Sequence, residues 1–361
     1  MQKKIIALAV AGLVSGAAFA QTAVTFGGIV DVGFSHKSSH TDGVTTARSA
    51  VDQGGQDGSR LFWTATEDLG NGLSVSAAQQ LRMAADTRAA PVADATVLTL
   101  AGKSWGAIRG GNYGSVSDDI NGFSETGMGW GNGVFDMITN GTNYNVIGYV
   151  TPDMGGFQAK LNYSTHDRAA NDADGNGTSN IRAYGINGAY QGNGLKLGAS
   201  YQRRAAAANT IVTPATVIVD PVTGLPVTSA AVVGADKQVE WMLSGSYTLG
   251  QFSVGAGYDH EKTFSAADAL TRKAWRINGG FAITPNDQVS LSYMQVKADR
   301  DVSGDVTAKG LGLSYSHAMS KRTNVYASYA HVSQDIDAGS VAGDAYAGYK
   351  NLFKVGLRHQ F

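Results

Sequence analysis

Strict two-residue alternation constrains this chain more than any other feature. It is clearest over Tyr349 to Phe361, which reads Tyr-Lys-Asn-Leu-Phe-Lys-Val-Gly-Leu-Arg-His-Gln-Phe. Strand side chains alternate with period two, so Phe353, Val355, Leu357, His359 and Phe361 share one face and Lys354, Gly356, Arg358 and Gln360 the other. An apolar face backed by a cationic one suits a strand with lipid on one side and a watery interior on the other.

The same pattern recurs along the chain. Val24, Phe26, Gly28, Val30, Val32 and Phe34 oppose Thr25, Gly27, Ile29, Asp31 and Gly33, and Leu195, Leu197, Ala199 and Tyr201 oppose Lys196, Gly198, Ser200 and Gln202. Turn signals delimit sixteen candidate strands: 22–36, 60–67, 72–83, 96–104, 106–112, 142–151, 155–166, 180–191, 194–205, 237–249, 251–262, 273–283, 287–298, 307–318, 322–333 and 349–361. Each is about long enough to cross a bilayer as a tilted strand. Short connections such as Leu69-Gly-Asn-Gly72 and Gly192-Asn193 alternate with long ones at 37–59, 84–95, 113–141, 167–179, 206–236, 263–272, 299–306 and 334–348. All six prolines fall in connections, where no ladder hydrogen bond is lost. Tyr149, Tyr163, Tyr190, Tyr247, Tyr293, Tyr315 and Tyr329 recur near strand ends, as an interfacial aromatic girdle requires. The expected fold is all-β, a 16-stranded antiparallel transmembrane β-barrel.

The other end of the chain carries an export pattern. Lys3 and Lys4 precede an apolar stretch from Ile5 to Ala18, and Ala18-Phe19-Ala20 is a small-residue cleavage site before Gln21. Residues 1–20 therefore read as a secretory signal peptide and 21–361 as the barrel domain. The chain has no cysteine, which rules out disulfides, thiolate chemistry and Cys-based zinc sites. Its formal charge is -1, far from the basic balance of a nucleic-acid binder.

Particular residues carry a family resemblance. Val24-Thr-Phe-Gly-Gly-Ile-Val-Asp31, Gly58-Ser-Arg60 followed by Glu67-Asp-Leu-Gly-Asn-Gly-Leu73, Tyr149-Val-Thr-Pro152 with Gly155-Gly-Phe157, and Val355-Gly-Leu-Arg-His-Gln-Phe361 resemble the general porins of Gram-negative bacteria, β-proteobacterial type. The resemblance implies a homotrimer in the cell outer membrane, in contact with lipid and lipopolysaccharide. It implies a third long loop folded into each pore, a terminal aromatic, Phe361, read by the barrel-insertion machinery, and no cofactor. Its function would be a general diffusion pore for ions and small hydrophilic solutes, with a substrate-specific outer-membrane channel as the alternative.

In such pores acidic residues on the inward loop face basic residues on the wall, and opposed charges select ions by sign. By resemblance the acidic candidates on loop 113–141 are Asp118, Asp119, Glu125 and Asp136. Arg60 matches the family's Ser-Arg arginine; parity adds Arg82 and Arg109, then Lys103, Lys160, Lys196, Arg276, Lys354 and Arg358. The chain departs from the family at Gly110-Gly111-Asn112-Tyr113, where an arginine is usual, and near Thr142, which has no basic neighbour. A thin positive ladder predicts mild cation selectivity. Phe62 falls on the lumen side and is expected to narrow the pore.

Other chemistry finds little support. Asp172-Ala-Asp174-Gly-Asn176-Gly177 resembles half a calcium loop, but Ala183 stands where a bidentate Glu is needed. The seven histidines show no metal-ligand spacing. Ser and His are abundant, but no spacing singles out a pair with an orienting amide, so an enzyme is not expected. Periodicity leaves open whether 206–236 forms a hairpin, covers the mouth or lies over a neighbour.

Overall fold

The computed structural model describes residues 23–41, 44–126, 142–165, 182–205, 211–213, 217–219, 226–228, 232–233, 237–264, 269–300, 305–336 and 350–361. The expected signal peptide, Asp136 and the Asp172–Gly177 segment lie outside the described residues.

Six strands come first: β1 (Ala23–Thr41), β2 (Val44–Gln53), β3 (Arg60–Gly70), β4 (Leu73–Arg82), β5 (Val92–Gly102) and β6 (Gly106–Gly114). A one-turn helix α1 (Asp118–Asn121) and a 3-10 turn (Gly122–Ser124) follow. Next are β7 (Thr142–Val150), β8 (Phe157–Ser164), β9 (Arg182–Gly192) and β10 (Leu195–Ala205). β11 (Ile211–Thr213), β12 (Val217–Val219), β13 (Pro226–Thr228) and β14 (Val232–Val233) form two small ladders, β11 with β14 and β12 with β13. The loop expected at 206–236 is thus hairpin-like in its described parts. The barrel resumes with β15 (Lys237–Leu249), β16 (Phe252–Phe264), β17 (Leu270–Ala282) and β18 (Asp287–Arg300). It ends with β19 (Val306–Ala318), β20 (Thr323–Ile336) and β21 (Asn351–Gln360).

All pairings are antiparallel, and β1 pairs with β21 from Ile29↔Gln360 to Ser38↔Asn351, which closes the sheet. Phe361 completes the seam: its N–H donates to Gly28 O and the Gly28 N–H donates to Phe361 O, both at 3.1 Å. The sheet holds 17 strands but has sixteen positions. β2 and β3 are collinear against β1, with Val32↔Gln53 at the end of one and Ile29↔Arg60 at the start of the other.

This corrects the expectation of an open loop over 37–59. β1 runs on to Thr41 and β2 returns beside it, pairing His36↔Ser49 and Lys37↔Arg48. Residues 45–49 are exposed, and their side chains are polar or small on both faces. Beyond the lipid neither face is apolar, so the alternation that marks a strand vanishes while the backbone ladder continues. β5 likewise starts at Val92 instead of 96.

The tight turns behave as their sequences dictate. Asn71 (φ 51°) sits between Gly70 and Gly72 (φ 80° and 78°), in the left-handed region that Gly and Asn tolerate. Polarity is inverted relative to a water-soluble domain. Val24, Phe26, Leu98, Ile147, Leu243, Leu313 and Leu357 are exposed, whereas Asp31, Asn187, Gln202, Glu240, Asp259 and Asn278 are buried. Apolar side chains outside and polar ones inside are what a barrel surrounded by lipid and filled with water requires. No helix among the described residues is long and apolar enough to cross a membrane; the strands do so.

Candidate functional site

The third long loop leaves β6 at Gly114 and turns into the barrel. Its first residues are held by a reciprocal clasp: the Ser115 N–H donates to Asp118 Oδ2 (3.2 Å) and the Asp118 N–H to Ser115 Oγ (3.3 Å). Val116, Ile120 and Phe123 then recur at near-helical spacing. Val116 and Ile120 have no exposed surface. Ile120 belongs to an apolar cluster on the inner wall with Met242, Ala274, Met294, Val296, Ala308 and Val332, against which Phe123 packs. This patch inside the lumen runs against the polar-inward rule, and it seats the loop.

Close approach is possible because the wall there lacks side chains. A Cβ at Gly185 would stand 2.6 Å from Val116, one at Gly198 2.7 Å from Ile120, and one at Gly255 2.1 Å from Ser124 O. Polar groups line the same track. Asn187 Nδ2 donates to Val116 O (2.8 Å) and Asp119 Oδ2 (3.2 Å), Ser200 bonds Ser117 (3.2 Å), and Asn278 Nδ2 donates to Ser124 O (2.7 Å). Arg276 donates to Asn121 O (2.9 Å) and Ser124 Oγ (2.6 Å) and pairs with Glu125 at 3.2 Å.

The acidic candidates therefore have specific partners. Asp118 closes the loop's first turn. Asp119 forms an ion pair with Lys160 at 2.8 Å. Glu125 meets Arg276, both side chains largely shielded from solvent (12% and 6% exposed). Among the wall candidates, Arg82 pairs with Asp94 at 2.8 Å. Arg109 lies over the Tyr113 ring, 4.4 Å from its centroid. Arg60 bonds Asp57. Phe62 lies along the wall over Gly27, where a Cβ would meet its ring at 2.7 Å.

The missing arginine has a local cause. Gly111 has φ +140°, a Cβ there would fall 2.0 Å from Thr96 O, and the ladder to β7 shifts register between Gly111 and Tyr113. The strand bulges at this point, and only glycine fits.

Across the lumen from these groups in sequence, the break between β2 and β3 builds a second inward feature. Asp31, fully buried, accepts from the backbone N–H groups of Gln56 (2.7 Å) and Asp57 (2.6 Å) and from Tyr326 Oη (2.6 Å). Asp57 also accepts from Arg358 Nη2 at 3.2 Å. Sequence reasoning passed over Asp31 and Asp57; the signal was a carboxylate on the polar face of β1 and another just before the Gly58-Ser-Arg60 motif. It also missed Glu240, Asp259 and Glu261, which share the inner face of β15 and β16. Among the described residues no three His, Asp or Glu side chains are grouped to hold a metal ion.

Comparison with known proteins agrees with this architecture. The sequence pattern of a Gram-negative porin family matches residues 7–337. An outer membrane porin protein of Bordetella pertussis is 25% identical over 401 residues, and outer membrane porin protein 32 of Delftia acidovorans is 28% identical over 397 residues. Each alignment spans 100% of both chains. The fold resembles that of an anion-selective porin from Comamonas acidovorans, with TM-score 0.69 and 20% identity, over 94% of this chain and 100% of that one.

Proposed function

Because the chain belongs to the Gram-negative porin family, we propose that its lumen is a general diffusion pore for ions and small hydrophilic solutes, with mild cation selectivity. The observation that carries the selectivity is the pairing of the wall cations: Lys160 with Asp119, Arg276 with Glu125, Arg82 with Asp94, and Arg60 with Arg358 around Asp57. A further cation is missing at Gly111. These carboxylates offset all but one of the named wall cations, the second guanidinium at Asp57, and so leave little net positive field to attract anions. In this reading Asp118, Asp119, Glu125 and Asp136 form the acidic side of the constriction and Arg60, Arg82 and Arg109 the basic side.

The test is the zero-current potential of the reconstituted protein across a KCl gradient. A potential of potassium-selective sign is expected, moving toward chloride when Asp118 and Asp119 are both changed to Asn and further toward potassium in Arg60→Gln. A chloride-selective potential in the unaltered protein overturns the cation preference and leaves the pore intact. That outcome is the second reading, and it has support in the Comamonas acidovorans porin, which is described as anion-selective.

The same reading places a homotrimer in the outer membrane after removal of residues 1–20 as a signal peptide. Its support is the outward apolar surface at the seam, where Val24, Phe26, Val30, Phe34, Val355 and Leu357 are all exposed in the single chain. Light scattering on the detergent-solubilised protein should give three times the chain mass; a monomer only would refute the trimer. Phe361 is read as the signal for barrel insertion.

A further inference from the structure

β2 ends at Gln53 opposite Val32, and β3 starts at Arg60 opposite Ile29. Residues 54–59 therefore face only Val30 and Asp31 on β1, so most of the segment must leave the sheet. It leaves toward the lumen, because the groups that touch it are the inward-facing Asp31, Asn324, Tyr326, Lys354 and Arg358.

The segment is held firmly. Besides its two bonds to the Asp31 carboxylate, the Gly54 N–H donates to Asp31 O (3.2 Å) and the Asp31 N–H donates to Ser59 Oγ (3.1 Å). Asn324 Nδ2 donates to Gln56 Oε1 at 2.5 Å. Tyr326 reaches Asp31 by crossing Gly356 and Gly55, where a Cβ would lie 2.3 Å and 1.8 Å from its hydroxyl. The result is that one carboxylate, Asp57, is fixed between two guanidinium groups, Arg60 and Arg358. All three side chains remain open to the lumen, at 27%, 28% and 20% exposure.

We infer that Asp57 is a selectivity-determining residue of the pore: it offsets one of the two arginine charges on this wall and so suppresses anion preference. This rests on the pore reading given above. Asp31 cannot stand in for Asp57, since its own oxygens already accept from the segment's backbone and from Tyr326. Without Asp57 the two arginines would present unshared positive charge on the side of the lumen remote in sequence from the inward loop. A narrow passage with low-dielectric walls magnifies such a change.

The experiment compares Asp57→Asn, Arg358→Gln and the double variant with the unaltered protein, in planar bilayers at low KCl. Asparagine keeps the backbone donor that Asp31 accepts and removes the charge, together with one of the two oxygens that accept from Arg60 and Arg358. The zero-current potential should move toward chloride in Asp57→Asn, toward potassium in Arg358→Gln, and return near the original value in the double variant. If Asp57→Asn does not insert, Asp57→Ser takes its place: it also keeps the backbone donor and removes the charge, and it should move the potential toward chloride in the same way. Conducting variants whose potentials equal that of the unaltered protein overturn this inference and leave the pore reading standing. An unaltered protein that inserts as a folded barrel but carries no current overturns both.

Discussion

Arg276 turns its whole guanidinium toward the third loop, donating to Asn121 and Ser124 and pairing with Glu125. Removing one partner of a buried ion pair typically costs about 3–5 kcal/mol, because the other charge stays buried without compensation. Arg276→Met should therefore loosen the loop, giving larger and noisier single-channel conductance steps. Arg276→Lys should fall between, since an ammonium cannot reproduce the planar fork. Conductance unchanged in Arg276→Met would show that the glycine track and Ile120 hold the loop alone. Parity along β17 made the inward direction of Arg276 legible. Its partner was not legible, because Glu125 lies 151 positions away and no local pattern encodes a contact of that span. The same limit applies to Asp119 with Lys160 and to Asp57 with Arg358. Residue type and face could be read, while pairing across the lumen required the closed barrel.

Elements were read more easily than residues. Wherever one face meets lipid, alternation set strand and register together, because a one-residue slip would turn every apolar side chain inward. β15, β16 and β18 accordingly begin within a residue of their expected starts. β2 escaped because its exposed residues 45–49 are polar or small on both faces and carry no apolar alternation. The seat of α1 also escaped: Met242 and Met294 looked like ordinary strand residues, yet they form an apolar floor with Ile120. Gly198→Val should push Ile120 and α1 off that floor, because the added side chain begins 2.7 Å from Ile120. Gly279→Ala is the matched control, since a Cβ there meets nothing within 4 Å. Both variants should insert, and only Gly198→Val should alter conductance and solute exclusion. Equal behaviour of the two would mean that α1 is not held where the track places it.

At the scale of the whole molecule, closure rests on the seam between the two ends of the sheet. Phe361 contributes two backbone hydrogen bonds to Gly28, and its ring occupies the place of a Gly28 side chain, 2.5 Å from where a Cβ would be. Deleting Phe361 should lower the yield of heat-modifiable folded barrel in membranes without reducing the amount exported. Gly28→Val should do the same by expelling the ring. Normal barrel yield in both would show that closure does not depend on the contact between Phe361 and Gly28. Charge effects also belong to this scale. The Debye length falls from about 10 Å at 0.1 M salt to about 3 Å at 1 M. Selectivity should therefore fade as KCl rises, in the unaltered protein and in Asp57→Asn alike, with conductance growing throughout. A selectivity independent of salt would point to size, not field, as the filter.

The position of the seam also has a consequence in time. Ser38 and Asn351 hydrogen-bond across it, 313 positions apart, so the edge of β1 that faces β21 must wait for nearly the whole chain before it is paired. Loop-closure entropy grows only slowly with length, which makes the delay a kinetic hazard more than a thermodynamic one. During that interval the growing sheet has two open edges and an apolar face, the features that drive strands of different molecules to pair. A barrel sealed by its first and last strands thus keeps both edges open until its final strand is in place.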